Sequence, residues 1–164
     1  TGKTLGKMGC FFTALTMSIA KSAPNILIDN LNPGNLLLAA QNAGLVSSRG
    51  LVGSGSSVIK MATGTTPEIG SVNLNGSLSQ KASVISSYLN NGYDVMLRVK
   101  SPDGARILES RGYGDTGDEH WVLVTGVSEG EIYIADPGYS VTKISDTWRY
   151  INEGIIEFQY IKYV

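Results

Sequence analysis

The chain has 164 residues, with 13 basic and 14 acidic side chains and a formal net charge of -1. This length fits one domain with a buried core, so we expect a single domain over residues 1–164. A nearly neutral chain has no field that would draw it to nucleic acid or to an anionic membrane surface. The charged fraction of 16% and the 20 glycines indicate a loop-rich fold with a polar, uncharged surface.

The first residues of the chain and the cysteine count bear on processing, location, disulfide bonds and metal binding. The sequence begins Thr-Gly-Lys and contains neither a signal segment nor an apolar run long enough to cross a bilayer. We therefore expect a fragment or a processed product that is attached to further domains in the full-length protein. One cysteine excludes an internal disulfide and leaves the compartment open, with an extracellular or virion-associated location favoured. One cysteine and one histidine do not make a structural zinc site, and no metal or cofactor is expected.

Apolar spacing and capping residues predict four helices in the first half of the chain. Asn32 and Pro33 are suited to the start of a helix, and Gly44 is suited to its end. The stretch from 47 to 70 is rich in glycine and serine, and we interpret it as loop around one short helix. The helices are expected at Cys10–Lys21, from Pro33 to Gly44, at Ser56–Ala62 and at Ser77–Asn91.

Strand patterns dominate the second half. Residues 101–118 are interpreted as an irregular, glycine-rich loop, residues 140–144 as a short strand and residues 145–151 as a helical turn. Helices that come first and strands that follow are typical of an α+β domain. The main strands are expected at Tyr93–Lys100, His120–Val127, Glu131–Ala135 and Gly154–Val164.

The run DEHWVLVTGVSEGEIYIADPG, which starts at Asp118, holds the single histidine of the chain. A three-residue loop closed by Gly130 would pair Val122 with Asp136. His120 and Asp136 would then be diagonal neighbours on one face, roughly 7–8 Å apart and within reach of each other. A two-residue loop would send them to opposite faces, because a one-residue slip inverts every side chain.

Cys10 gives this pair a chemical context. It follows a glycine at the predicted start of the first helix, where unsatisfied N–H groups and the macrodipole stabilise a thiolate. A nucleophile, a base on a strand and a carboxylate that orients the base form the general logic of a catalytic triad. The sequence therefore offers Cys10, His120 and Asp136 as candidate catalytic residues.

Each of these residues also has a structural explanation. A lone cysteine is often a small buried hydrophobe, and an aspartate before Pro-Gly is good turn chemistry. Asp118 and Glu119 are rival orienters of His120, ranked lower because loop carboxylates are usually solvated. If all three residues were purely structural, the presence of a nucleophile, a base and an orienting carboxylate in a workable order would be a coincidence of three independent events.

The run GKMGCFFTALTMSIA, followed by HWVLVTGV and IYIADPG, resembles the papain-like cysteine peptidases of the double-glycine, bacteriocin-processing type and their bacterial and phage relatives. The resemblance implies a papain-like fold, with N-terminal helices packed on a C-terminal antiparallel β-sheet. It also implies that Cys10 is the nucleophile, His120 the general base and acid, and Asp136 the orienter. The family usually has a glutamine before the cysteine that donates to the oxyanion, and no glutamine precedes Cys10 here. Three alternatives follow: the glutamine lies in residues missing from the N-terminus, backbone N–H groups such as that of Cys10 replace it, or the protein is no longer a competent enzyme.

Two classes of function follow. The first is a cysteine peptidase that hydrolyses a peptide or amide bond through an acyl-thioester on Cys10, with a peptidoglycan stem peptide or a precursor protein as substrate. Acyl transfer to an amine would use the same residues. The second is an inactive papain-like module that binds a peptide or serves a structural role, which the missing glutamine favours.

Overall fold

A computed structural model describes residues 2–47, 50–52, 54–100, 119–136, 143–144 and 152–164. These residues form four helices, seven strands and a 3₁₀ turn at Asn152–Gly154. The helices are α1 Gly2–Ser22, α2 Pro33–Asn42, α3 Gly55–Thr63 and α4 Leu78–Asn90. The strands are β1 Val46–Ser47, β2 Gly50–Leu51, β3 Glu68–Asn73, β4 Asp94–Lys100, β5 Glu119–Ser128, β6 Glu131–Ala135 and β7 Ile155–Lys162.

The main sheet has five antiparallel strands in the order β3-β7-β4-β5-β6, and β1 and β2 form a separate pair. Apolar clusters cover both faces of the main sheet. On one face, α1, α2 and α3 pack against sheet residues that include Met96, Leu123 and Ile161. On the other face, α4 packs against Leu97, Val122 and other buried sheet residues. The predicted α+β class, with helices packed on an antiparallel sheet, is confirmed.

Capping residues set the starts of two helices, and one of them is the predicted cap Asn32. The side chain of Asn32 accepts a hydrogen bond from the Asn35 N–H at the start of α2. Ser77 and Gln80 form a reciprocal capping box at the start of α4. Such caps satisfy N–H groups that the helix itself leaves without a partner.

The largest difference from the predicted elements is β3. Its first half, residues 68–70, lies in the stretch interpreted as loop, and residues 71–73 are assigned to no predicted element. The segment instead pairs with β7 along its whole length, from Glu68 opposite Lys162 to Asn73 opposite Glu157. The strand alternates only weakly between buried and exposed positions, because it lies at the edge of the sheet. Its pairing comes from a strand about 90 residues later in the chain, which local pattern cannot reveal.

Several predicted elements fall outside the described residues. The loop at 101–118, the helical turn at 145–151 and most of the strand at 140–144 belong to this group. Lys143 is described, and it bridges to Tyr133 of β6. Within the described ranges, no helix is both long enough and apolar enough to cross a bilayer.

Candidate active site

The β5–β6 hairpin closes differently from the prediction. Ser128 pairs with Glu131, so the loop contains only Glu129 and Gly130. Both residues have positive φ angles, 53° and 78°, as the favoured two-residue hairpin turns require. The predicted three-residue loop is therefore wrong, and a regular ladder from this turn would place His120 and Asp136 on opposite faces.

A β-bulge in β5 restores the register. Gly126 pairs with Tyr133, but Val124 pairs with Ile134, which leaves Thr125 as an extra residue in β5. Beyond the bulge, Leu123 lies opposite Ala135. One further step in this register brings Val122 level with Asp136, which is the predicted alignment, although the structural reason is the bulge rather than the length of the turn.

His120 and Asp136 meet at the end of this hairpin. The Nε2 atom of His120 lies 2.8 Å from Oδ1 of Asp136, and both side chains are fully buried. His120 is near the start of β5 and pairs with Val99 of the central strand β4. Pairing with β4 therefore fixes the backbone at His120, and the bond to Asp136 orients the imidazole.

Cys10 lies eight residues after the first residue of α1. The prediction that the helix starts at Cys10 is wrong, because the preceding GKTLGKM contains good helix formers and its glycines lower helix propensity without ending the helix. The Cys10 N–H is consequently inside a helix, where such groups bond to a carbonyl four residues earlier. The alternative in which this N–H replaces the glutamine as an oxyanion donor therefore loses its basis, and the helix macrodipole no longer accounts for a thiolate here.

Groups other than a helix start stabilise the Cys10 thiolate. Burial of the Cys10 thiol opposes its ionisation. The hydrogen bond to His120, the charge of His120 and the backbone N–H groups of Trp121 and Phe11 outweigh this effect and hold the pKa of Cys10 below its ordinary value. The thiolate is therefore favoured by the strand that carries the histidine and by the residue that follows the cysteine.

The pKa of His120 moves in the opposite direction. Burial lowers it, but the hydrogen bonds to Asp136 and Cys10 and the charges of the same two groups raise it above its ordinary value in sum. A lowered thiol pKa and a raised imidazole pKa together favour a thiolate–imidazolium pair. The arrangement can supply a nucleophile and an adjacent proton donor.

The residues that follow the cysteine and the histidine also touch each other. The rings of Phe11 and Trp121 meet edge to face, with centroids 5.5 Å apart. Trp121 lies on the α1 side of the sheet, where it packs in the apolar cluster of that face. The contact between Phe11 and Trp121 was not predicted, and its only signal in the sequence is that each ring adjoins a candidate site residue.

The remaining candidates contribute less. Glu119 is the first residue of β5, and Asp118 lies outside the described residues. Among the residues that the structure describes, no group of three or more His, Cys, Asp or Glu side chains is placed to hold a metal ion.

Comparison with known proteins supports the fold. No protein-family model matches the chain, and no curated protein matches it. Among solved structures, the chain is similar to a candidate C39-like peptidase from Bacillus anthracis, with a TM-score of 0.51 and 14% sequence identity. The similarity covers 94% of this chain and 88% of that one. The chain therefore has a papain-like α+β fold of the C39-like peptidase kind, and at this identity the likeness bears on the fold alone.

Proposed function

We propose that the protein is a cysteine peptidase of the double-glycine peptidase type, in which Cys10, His120 and Asp136 form the catalytic triad. The observation that carries the proposal is the buried His120, which is bonded to Asp136 at 2.8 Å and interacts with Cys10. The C39-like fold adds support, since the structural neighbour is described as such a peptidase. Peptides, including peptidoglycan stem peptides or a precursor protein, are the proposed substrates.

The proposed reaction proceeds in two steps. The Cys10 thiolate attacks the carbonyl carbon of the scissile bond, and His120 gives its proton to the leaving amine, which leaves an acyl-thioester on Cys10. A water molecule then attacks the thioester while His120 takes its proton, and the acid product leaves as the thiolate re-forms. Nε2 is bonded to Asp136, so Nδ1 is the nitrogen that exchanges these protons with the thiol and the substrate.

The first test is the reaction of Cys10 with iodoacetamide from mildly acidic to alkaline pH, in the native protein and in His120→Ala. We expect fast alkylation well below the ordinary thiol pKa of ~8.5. In His120→Ala the pH at which the alkylation rate rises should move towards that value, because the hydrogen bond and charge of His120 are gone. Far-UV circular dichroism checks that the variant is folded. Identical profiles in the two proteins would overturn the assigned pair.

Activity needs a separate measurement. A library of internally quenched peptides should be cleaved by the native protein and not by Cys10→Ser, which keeps the shape of the site and removes the thiolate. Added amines that shorten the lifetime of the acyl-enzyme would reveal acyl transfer instead of hydrolysis.

The second candidate function is an inactive module that binds a peptide on the same fold. The observation in its favour is the position of Cys10 inside α1, which leaves its N–H without the role of oxyanion donor. Loss of one such donor costs roughly 10²–10³ in rate in a well-studied protease. A reactive Cys10 that cleaves no member of the peptide library would favour this second function.

A further inference from the structure

The side of α1 that packs on the sheet is mostly apolar. Its fully or nearly fully buried hydrophobic side chains are Phe11, Phe12, Ala14, Leu15 and Ile19. Apolar contact is non-directional, whereas a thiol and an imidazole that act together must lie within hydrogen-bond distance of each other. The position of α1 on the sheet therefore calls for directional contacts as well.

Ser18 makes such a contact. Its side chain is fully buried, and its hydroxyl donates a hydrogen bond to Oδ2 of Asp94 at 2.7 Å. The hydroxyls of Thr13 and Thr16, by contrast, donate to carbonyl groups within α1. Among the α1 side chains that the structure describes, Cys10 and Ser18 are the two that hydrogen-bond to a residue outside the helix.

Tyr163 adds a second hydrogen bond to the same hydroxyl group. Its Oη lies 2.9 Å from Oγ of Ser18, and since the Ser18 hydrogen is directed to Asp94, Tyr163 is the donor. Burial and the charge of Asp94 outweigh the Ser18 bond and raise the pKa of Tyr163 above its ordinary value, so the phenol keeps the proton that it donates. The Ser18 hydroxyl is thus fixed from two sides.

Asp94 is buried, and a buried carboxylate is costly unless other groups compensate its charge. Its Oδ1 lies 3.7 Å from Nζ of Lys21, a side chain that is 51% exposed, so this ion pair contributes little. Within the described ranges, the bond from Ser18 is the one side-chain hydrogen bond to this carboxylate. Contact between Asp94 and Ser18 is therefore specific rather than incidental.

Directional contacts thus attach α1 to the sheet at two places. Ser18 is eight residues after Cys10, which is about 12 Å along the helix axis. Asp94 begins β4, and Val99, the partner of His120, lies near the other end of the same strand. A helix that is held at both places does not slide or turn unless one of the two hydrogen bonds breaks.

We propose that Asp94 is a positioning residue of the candidate active site, which fixes α1 through Ser18 and so keeps the Cys10 thiol at hydrogen-bond distance from His120. The proposal rests on the Cys10–His120 pair of the proposed function and deepens it. Asp94 acts through the helix, so its acceptor oxygen matters and its charge does not.

The test is the pH profile of Cys10 alkylation by iodoacetamide in Ser18→Ala, Asp94→Leu and Asp94→Asn. The first two variants remove the donor or the acceptor, so α1 can shift and the thiol moves away from His120. We expect alkylation at mildly acidic pH to be about tenfold slower, because a hydrogen bond to a charged group is weakened. Asparagine keeps an acceptor oxygen without the charge, so Asp94→Asn should retain the native profile.

His120 gives an independent readout, because it is the single histidine of the chain. Its imidazole ¹⁵N signals can be followed by NMR as the pH is varied. Burial lowers the pKa of His120, and the hydrogen bonds and charges of Asp136 and Cys10 raise it. Titration of the ring should therefore move to lower pH in Ser18→Ala and Asp94→Leu, and stay in place in Asp94→Asn. A substitution that only lowers stability leaves this titration unchanged while the protein is folded.

Two control variants separate positioning from charge and from stability. Lys21→Met removes the ion pair but keeps the acceptor, so both readouts should match those of the native protein. Leu74 is buried after β3, on the α4 face and at the sheet edge away from β5, so Leu74→Ala lowers stability without touching α1. We expect a lower unfolding midpoint in Leu74→Ala and native readouts below it.

Three results would overturn the proposal. They are native profiles in Ser18→Ala and Asp94→Leu, the same loss in Asp94→Asn as in Asp94→Leu, and an equal loss of Cys10 reactivity in folded Leu74→Ala. Each would show that the hydrogen-bond acceptor at residue 94 does not set the position of the thiol.

The peptidase function is measured separately, with the peptide library. Slower alkylation in Ser18→Ala and Asp94→Leu, without cleavage of any peptide by the native protein, would support the positioning role and contradict the peptidase function. Peptide cleavage by the native protein, with unchanged alkylation in both variants, would leave the peptidase function standing and remove the positioning role. An ordinary thiol profile in the native protein would overturn both.

Discussion

At the scale of single residues, His120 carries two interactions that reinforce each other. Burial disfavours the charged forms of both His120 and Cys10, so neither would ionise readily alone at this position. The carboxylate of Asp136 favours the imidazolium, and the imidazolium favours the thiolate. The raised pKa of His120 and the lowered pKa of Cys10 therefore depend on each other, because each group favours the charged form of its partner.

Asp136→Asn tests this coupling through the pH profile of peptide cleavage. Asp136 raises the pKa of His120, so without its charge the imidazolium, which is the proposed proton donor, is lost at lower pH. The weaker imidazolium also stabilises the thiolate less, so the acidic limb moves up. We expect the bell-shaped pH profile of the cleavage rate to become narrower. Its maximum should also fall, by no more than the factor of roughly 10²–10⁴ that a positioned acid and base contribute.

Glu129→Gln is a suitable control for that substitution, because Glu129 is an exposed carboxylate in the turn of the same hairpin. Its profile should coincide with that of the native protein. If Asp136→Asn also left both limbs in place, Asp136 would be a structural residue of the hairpin end only.

The sequence predicted which residues meet at the site better than it predicted why they meet. His120 and Asp136 were predictable as neighbours, because alternating strands and turn residues mark the hairpin clearly. The bulge at Thr125 was not, because its position depends on the pairing of β5 with β6. The predicted start of α1 was wrong for a local reason. The glycines before Cys10 suggested that the helix begins after them, but the surrounding helix formers extend it back to Gly2.

At the scale of elements, the extra residue in β5 yields a prediction about the hairpin. Thr125 is exposed and lies between Val124, whose partner is Ile134, and Gly126, whose partner is Tyr133. Deletion of Thr125 would leave a regular ladder with these same pairs. We therefore expect the deletion variant to fold and to keep the fast alkylation of Cys10 at mildly acidic pH.

Deletion of Tyr133 provides the contrast. Tyr133 is an exposed residue of the opposite strand, so its loss removes a similarly exposed side chain. β5 already has one residue more than β6 between the paired positions, and this deletion raises the difference to two. Asp136 therefore shifts by one residue relative to His120. Fast alkylation should be lost. Equal behaviour of the two deletion variants would contradict a site held by strand register.

Helices were easier to predict than the edge strand for a local reason. The caps Asn32 and Ser77 act within three residues of the helices that they start. By contrast, β3 contains a glycine and polar residues and exists through its pairing with β7. The contact of Gly70 with β7 shows the dependence, since a Cβ there would lie 2.2 Å from the Tyr160 hydroxyl.

At the scale of the whole molecule, the site joins two parts of the fold. Cys10 belongs to α1, and His120 and Asp136 belong to the sheet region against which α1 packs. Phe12 is fully buried in that contact. Integrity of the site therefore depends on core packing two residues away from the thiol.

Phe12→Ala tests this dependence. We expect a loss of roughly 3–5 kcal/mol in the free energy of unfolding, since truncation of a buried phenylalanine leaves a cavity. Urea unfolding should be followed by far-UV circular dichroism and by the rate of Cys10 alkylation at mildly acidic pH. The two signals should change at the same urea concentration, because the ion pair exists only while α1 is docked.

Leu38→Ala is the matched control, since Leu38 is 55% exposed on α2. Its unfolding midpoint should stay close to that of the native protein. If Cys10 reactivity fell at a much lower urea concentration than the helical signal, α1 would undock from the sheet without global unfolding.

The strand order has a consequence for biosynthesis. β7 is the last strand of the described chain, yet it lies between β3 and β4 in the sheet. While the ribosome is still translating residues before Ile155, β3 has no partner strand, and β4 can pair only with β5. The nascent chain therefore carries Cys10, His120 and Asp136 before it can complete the sheet that supports them. Such late, long-range pairing slows folding and leaves strand edges exposed until β7 has been synthesised.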